Sequence, residues 1–267
     1  MRSLDTCLFA ALDLETTGLY ASKDRIVEIG AVTFRRGRVV GRFQTFVDPG
    51  RAMSEEVIAV HGITDAMVAG APDVTEALPR LRAFLGEALL VIHNAAFDLS
   101  FLATADPSWV PWRPGVVDSC VLARRAFPQE RRYGLAHLVG TLGLDVSASH
   151  RALADADGAR QLFERSLDVL GEAAATAEEL LDLAAFDFAA AEKTVDAAIR
   201  GLVEEALREG RELVIAYRDA WGRLTERRVR PEGLAGWPVP QLEAFCCLRK
   251  GLRHFRLDRI VRARFAE

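Results

Sequence analysis

Leu8-Phe9-Ala10-Ala11-Leu12-Asp13-Leu14-Glu15-Thr16-Thr17-Gly18 is a short apolar run that closes on two acids and a glycine. Leu8 to Leu14 has the length and bulk of a buried strand. Side chains alternate along a strand, so Asp13 and Glu15 lie on one face. Two carboxylates aimed together repel unless a cation sits between them. Hard oxygen donors with no cysteine or extra histidine beside them favour Mg²⁺ or Mn²⁺ over zinc. A solvated strand end carries the same D-x-E pattern, so the pair alone does not decide. Gly18 permits a tight turn with backbone N–H groups facing a ligand. The stretch is neither a G-x-G-x-x-G fingerprint nor a G-x-x-x-x-G-K-[ST] phosphate loop.

Outward from this run, Ile26 to Phe34 and Val39 to Val47 read as strands joined by an Arg35-Arg36-Gly37-Arg38 hairpin turn. A short helix from Ser54 ends over Val57 to His61. Asp73 to Leu85 places Val74, Ala77, Leu78, Leu81 and Leu85 at helical spacing. Leu89 to Ile92 is a buried strand, followed by a helix over Ala95 to Ala103. Val116 to Phe127 reads as a strand end and helix stopped before Pro128. Leu135 to Leu142 is a helix closed by Gly143, and Arg151 to Leu170 is a long helix. Three leading strands followed by alternating helices and strands predict an α/β domain with a mixed sheet.

Two further acids stand at comparable places. Asp98 falls in the first turn of the helix after the strand Leu89 to Ile92, where open α/β sheets place their sites. Complementing the helix dipole is its alternative role. Asp155 opens the long helix, five residues after His150. Within one helix those two side chains would diverge by about 140°, so they converge more readily with His150 on the preceding loop. Asp157 lies about 200° round the helix from Asp155 and faces outward.

Asp13-Leu14-Glu15-Thr16-Thr17-Gly18, His93-Asn94-Ala95-Ala96-Phe97-Asp98 and His150-Arg151-Ala152-Leu153-Ala154-Asp155 resemble the three exonuclease motifs of the DnaQ-like family, in its histidine-bearing DEDDh branch. Val60-His61-Gly62-Ile63-Thr64 resembles the segment between the first two motifs. The resemblance covers roughly residues 5–170. It implies an RNase H-like fold and 3′→5′ exonuclease activity on DNA or RNA. It also implies two divalent ions, Mg²⁺ or Mn²⁺, on Asp13, Glu15, Asp98 and Asp155, with His150 as general base. Thr16, Thr17, His61, Asn94 and Phe97 become the substrate-contacting candidates; Phe97 equally suits a core. Single-stranded DNA in repair or proofreading is the expected substrate. An RNA exonuclease of the RNase T or oligoribonuclease type, and a non-catalytic nucleic-acid sensor, are the alternatives. A polymerase partner is not indicated by the motifs.

The chain changes character after Gly171. Residues 172–210 are rich in Ala, Glu and Leu and read as two helices, about Thr176 to Ala185 and Phe188 to Arg208. From Leu213 strand patterns return: Leu213 to Tyr217, a turn at Asp219-Ala220-Trp221-Gly222, then Arg223 to Val229, Leu242 to Leu248 and His254 to Ile260. Ile215-Ala216-Tyr217, Arg228-Val229-Arg230-Pro231-Glu232-Gly233-Leu234, Leu242-Glu243-Ala244-Phe245-Cys246 and Phe255-Arg256-Leu257-Asp258-Arg259-Ile260 resemble a WYL domain, a small Sm-like β-barrel. Its naming tripeptide is replaced by Pro240-Gln241-Leu242, with Trp237 just upstream. The resemblance implies binding of nucleic acid or nucleotide-like ligands. Tyr217, Arg228, Arg249, Arg253, Arg256 and Arg259 are the candidates for such a face. The expected division is an exonuclease domain over 1–171, a helical connector over 172–210 and a WYL-like domain over 211–267.

Charge follows the same division. Residues 1–170 hold 18 Lys+Arg against 21 Asp+Glu, residues 171–210 hold 3 against 10, and residues 211–267 hold 13 against 7. A basic tail behind an acidic connector suits an anionic partner, or an internal pairing of tail and connector. The connector helices also leave room for a homo-oligomer. No apolar run reaches the roughly 18 residues that span a bilayer, and Cys7 to Leu14 lacks the basic flank and cleavage site of a signal peptide. Cys7, Cys120, Cys246 and Cys247 form no C-x-x-C pair. A reduced, cytoplasmic setting without a membrane partner is the expectation.

Overall fold

The computed structural model describes residues 2–146, 150–186, 195–218, 223–235 and 240–266. Two compact units result, one built on residues up to Phe186 and the other mainly on residues after it.

The first unit is a mixed five-stranded sheet flanked by helices. Its strands are β1 (Phe9–Thr16), β2 (Ile26–Arg35), β3 (Arg38–Phe46), β4 (Leu89–Ile92) and β5 (Val116–Asp118), in the order β3-β2-β1-β4-β5. β1 pairs antiparallel with β2 and parallel with β4. The hairpin expected at Arg35 to Arg38 forms, with Arg35 level with Arg38. The helices are α1 (Glu55–His61), α2 (Asp65–Val68), α3 (Val74–Leu85), α4 (Ala96–Ala105), α5 (Ser119–Ala126), α6 (Leu135–Leu142), α7 (Ala152–Leu170) and α8 (Ala177–Ala184). Ser54 and Asp73, at the expected helix starts, cap α1 and α3 by accepting backbone N–H bonds. Phe9, Phe34 and Phe163 meet beneath α7 with centroids 5.1–5.9 Å apart. Burying each contributes roughly 2–3 kcal/mol.

α7 lies across β1 and β2, and its approach is unusually close. A Cβ on Gly30 of β2 would overlap the backbone of Ala152 and Leu153. Glycine is therefore required at that point for the first turn of α7 to rest on the strand.

α8 carries a capping box: Thr176 Oγ1 accepts from the Glu179 N–H at 3.2 Å, and Glu179 Oε2 accepts from the Thr176 N–H at 3.0 Å. Its Ala177, Leu180 and Ala184 complete the core of the first unit. The second expected connector helix is described as α9 over Ala197–Glu209; its expected start at Phe188 falls in residues 187–194, outside the described residues. Its Ile199, Val203 and Ala206 belong to the core of the second unit.

That unit is an antiparallel sheet of β6 (Leu213–Arg218), β7 (Leu224–Ala235), β8 (Gln241–Cys246), β9 (Gly251–Arg256) and β10 (Ile260–Phe265), ordered β10-β6-β7-β8-β9. This is the small β unit expected after the connector; among the described residues no pairing joins β9 to β10 to close it into a barrel. The strand expected over His254 to Ile260 is divided. β9 ends at Arg256, a 3₁₀ turn covers Leu257–Arg259, and β10 follows. The turn forms because Arg256 donates twice to the Asp258 carboxylate, at 3.0 and 2.8 Å. The expected strand over Leu242 to Leu248 stops at Cys246, and Leu248 stands exposed in the next turn. The turn at Asp219 to Gly222 and Trp237 lie outside the described residues. Among the described residues no helix is long and apolar enough to cross a membrane.

Candidate metal centre and anion-binding cavity

The carboxyl ends of β1 and β4 bring the acids together. Leu12 is level with Ile92, so Asp13 sits one residue beyond the end of β4. Asp13 is level with Gly30 and Glu15 with Glu28 across the antiparallel pair. Asp98 is the third residue of α4, and its Oδ1 accepts from the Leu14 N–H at 3.0 Å. That bond fixes Asp98 against the backbone between the two β1 acids. Asp155 enters from the first turn of α7. Oxygens of Asp13, Glu15 and Asp155 all lie within 4.8 Å of one another. Asp98 stands outside that trio but close enough to act on the Asp13 charge. Asp157 bonds Arg160 at 2.7 Å and Gln161 at 3.0 Å instead.

Electrostatics set the cluster apart from ordinary surface acids. Burial lifts the Asp13 carboxyl well above the usual carboxylate range, and Asp98, Asp155, Glu15 and Glu28 push the same way. Burial with the Asp155 and Glu28 charges raises Glu15 to about 8. Asp98 is raised strongly and Asp155 is also raised, burial being the main cause for both. Four acids that each resist ionisation in one place form an all-oxygen donor set suited to a divalent ion.

His150 occupies the loop before α7, as its spacing predicts, with φ of 60° and an exposed side chain. Its backbone N–H donates to Asp155 Oδ2 at 2.9 Å. The left-handed backbone is sparsely populated outside glycine and persists only where neighbours hold it. Loop residues 147–149 are outside the described set.

The candidate substrate residues divide. Thr16 Oγ1 donates to the Gly18 carbonyl at 2.6 Å. Thr17 Oγ1 accepts from the Arg25 N–H at 3.0 Å and donates to Asp24 at 3.3 Å, so its hydroxyl is committed to the loop. Gly18 sits close under the Asp24 carboxylate: a Cβ there would lie 2.5 Å from it, and the Asp24 side chain would have to swing aside. His61 is buried, with Nδ1 accepting from the Ile63 N–H at 3.0 Å and no hydrogen-bond partner for Nε2 among the described residues. Burial holds its pKa below the ordinary value, so the ring stays neutral. Phe97 is half-buried beside Phe101, with centroids 5.1 Å apart. Asn94 is exposed, with φ of 62°.

Two buried acids that the sequence reading passed over organise these motifs. Asp118, at the end of β5, accepts from the N–H groups of Asn94 (3.2 Å), Ala95 (3.1 Å) and Cys120 (2.9 Å). Glu28 lies fully buried in β2. Its signal was present in the sequence: one acid inside the apolar run Ile26-Val27-Glu28-Ile29 demands a buried partner.

In the second unit, Tyr217, Arg249 and Arg253 line one cavity of about 450 Å³, together with Thr225, Arg227 and His254. Arg228 and Arg256 are engaged elsewhere, with Glu212 at 2.6 Å and Asp258 at 2.8 Å. Arg259 does not line the cavity. Phe255 is buried and meets Tyr217 edge-on at 5.2 Å, so it serves the core more than a ligand. Behind the wall, Glu243 is buried and bonds His254 at 3.0 Å.

Residues 10–163 match the RNase_T exonuclease family model. The chain belongs to the RNase_T exonuclease family. Residues 199–265 match the WYL domain. The DNA polymerase III subunit epsilon of Treponema pallidum is 41% identical over 160 residues, covering 58% of this exonuclease-family chain and 74% of that protein. The PolC-type DNA polymerase III of Staphylococcus epidermidis is 31% identical over 173 residues, but the matched stretch spans only 12% of its length. The solved structure of Exonuclease X in complex with 5′ overhanging duplex DNA shares 31% identity, with a TM-score of 0.51, over 66% of this chain and 98% of that one. The nuclease domain of 3′hExo, a DEDDh family member bound to rAMP, shares the fold at 17% identity and a TM-score of 0.53.

Proposed function

We propose that this RNase_T-family chain is a metal-dependent 3′→5′ exonuclease that shortens single-stranded DNA to nucleoside monophosphates. The observation that carries the reading is the convergence of Asp13, Glu15 and Asp155 within 4.8 Å, with Asp98 anchored beside them and His150 at the turn above. Two divalent ions, Mg²⁺ or Mn²⁺, held by these four acids would supply the positive charge that activates water and offsets charge on the phosphoryl oxygens. His150 takes the proton of the attacking water as general base. The new P–O bond forms as the bond to the 3′-oxygen breaks, leaving a shortened strand with a 3′-hydroxyl. Thr16, His61, Asn94 and Phe97 border the terminal nucleotide, and Thr17 shapes the turn beneath it. The 41% identity to a DNA polymerase III subunit supports DNA as the substrate and a repair or proofreading setting; polymerase association is a further test.

A panel of single-stranded DNA, duplex DNA, RNA and short oligoribonucleotides, each 3′-labelled and assayed with Mg²⁺ and with Mn²⁺, decides the substrate. His150→Ala is expected to lower kcat about 100-fold or more while strand affinity changes little. Equal loss of affinity and rate would reassign His150 to binding.

The division of labour follows the cores. Residues 1–171 carry catalysis, with α8 of the 172–210 connector completing that unit and α9 supporting the 211–267 WYL-like sheet. The tail holds strand through its arginine-lined cavity. On an Asp13→Ala background, Arg249→Ala/Arg253→Ala is expected to reduce the slope of log affinity against log salt by about 1.4 for single-stranded DNA. An unchanged slope would exclude those arginines from strand contact.

A further inference from the structure

Glu28 is the one acid at this site whose bonding leaves no oxygen for a metal. Oε1 accepts from Gln44 Nε2 at 2.6 Å and from an Arg151 terminal nitrogen at 2.8 Å. Oε2 accepts from Arg151 Nε and from the Ala152 N–H, both at 3.1 Å. The carboxylate is fully buried, and Arg151 meets it as a two-pronged fork. These bonds outweigh burial and hold Glu28 below the usual range, opposite in direction to the four neighbouring acids.

Two of the three partners of Glu28 lie at one junction. Arg151 directly follows His150, and Ala152 is the first residue of α7, whose first turn carries Asp155. Gly30, two residues along β2, opens the space that lets this turn settle on the strand. The same junction is closed from inside by the His150 N–H bond to Asp155. The backbone at His150 is left-handed and lacks glycine's freedom, so something must hold it.

We infer that Glu28 and Arg151 are positioning residues: their buried fork, with the Ala152 N–H, clamps the start of α7 to β2 and thereby sets His150 and Asp155 against the β1 acids. Neither side chain touches the reacting atoms. The inference rests on the exonuclease reading for its catalytic readout and on the metal-site geometry for its second readout.

The full-length protein and its Glu28→Gln, Arg151→Ala and Arg151→Lys variants test it by kcat and KM on single-stranded DNA, Mn²⁺ affinity by calorimetry and melting temperature in metal-free buffer. Glu28→Gln and Arg151→Ala are expected to lower kcat and Mn²⁺ affinity by about 10- to 100-fold with KM little changed. Arg151→Lys keeps one charged donor and is expected to recover part of both losses. Wild-type kcat and Mn²⁺ affinity in Glu28→Gln would overturn the clamp. So would an Arg151→Lys protein no better than Arg151→Ala, with both losses tracking melting temperature. Should Glu28→Gln fail to fold, the Arg151 pair decides alone, since that side chain is 35% exposed. A wild type that releases no nucleotide from any strand refutes the exonuclease reading, while the Mn²⁺ titrations still decide the clamp.

Discussion

Asp13→Ala is expected to abolish nucleotide release from a 3′-labelled strand, a loss beyond the about 100-fold typical of removing a residue that merely supports a metal ligand. The same substitution is expected to stabilise the metal-free fold. Asp13 is held against Asp98, Asp155 and Glu15, and burial already disfavours its charge. A carboxyl whose folded pKa is raised binds its proton more tightly folded than unfolded. The associated stability is present below the unfolded pKa and lost as pH rises through the folded one. For Glu15 that window runs from 4.5 to about 8. In EDTA the wild type should therefore melt at falling temperatures across this window. At pH 8 Asp13→Ala should melt about 3–6 °C higher than wild type. Saturating Mn²⁺ should raise the wild-type melting temperature and leave the variant nearly unmoved. Full hydrolysis by Asp13→Ala would sink the assignment of the site.

Gly30→Ala is the second large effect. The added methyl would occupy the backbone of Ala152 and Leu153, which has no flexible side chain to swing aside. Either α7 lifts from β2 or β2 bends away. Overpacking of this kind is expected to cost about 3 kcal/mol or more. Scanning calorimetry should show a fall of about 6–12 °C. Activity should fall further than stability alone explains, because α7 carries Asp155 and the end of the Glu28 clamp. A variant with wild-type melting and wild-type kcat would show that the junction has slack that its close approach denies.

Much of this was legible in sequence because it is local. The strand at Leu8 to Leu14 announces itself by an apolar run, and Asp13 and Glu15 share a face by period alone. The order and spacing of the three motifs then placed Asp98, His150 and Asp155 near them. What escaped is non-local or contextual. Glu28 and Arg151 are separated by 123 positions, and no periodicity links them. Gly30 looks like any glycine in a strand until α7 arrives. β10 also escaped, although its Val261, Ala263 and Phe265 alternate with Arg262 and Arg264: the 3₁₀ turn over Leu257–Arg259 that separates it from β9 is held by the folded pairing of Arg256 with Asp258. The arginines of the tail read alike in sequence, whereas folding engages Arg228 and Arg256 with acids and leaves Arg249 and Arg253 on the cavity wall.

The acid-rich segment between the two units is not a neutral spacer, because its helices owe allegiance in opposite directions. α8 fills the nuclease core with Leu180, and α9 fills the sheet core with Val203. A nuclease cut free at Gly171 would lose part of its own interior, and one ended at Phe186 would keep it. Gene fusion and tail exchange in evolution would therefore carry α8 with the nuclease and α9 with the sheet. A recombination joint inside either helix would split a hydrophobic interior and be purged.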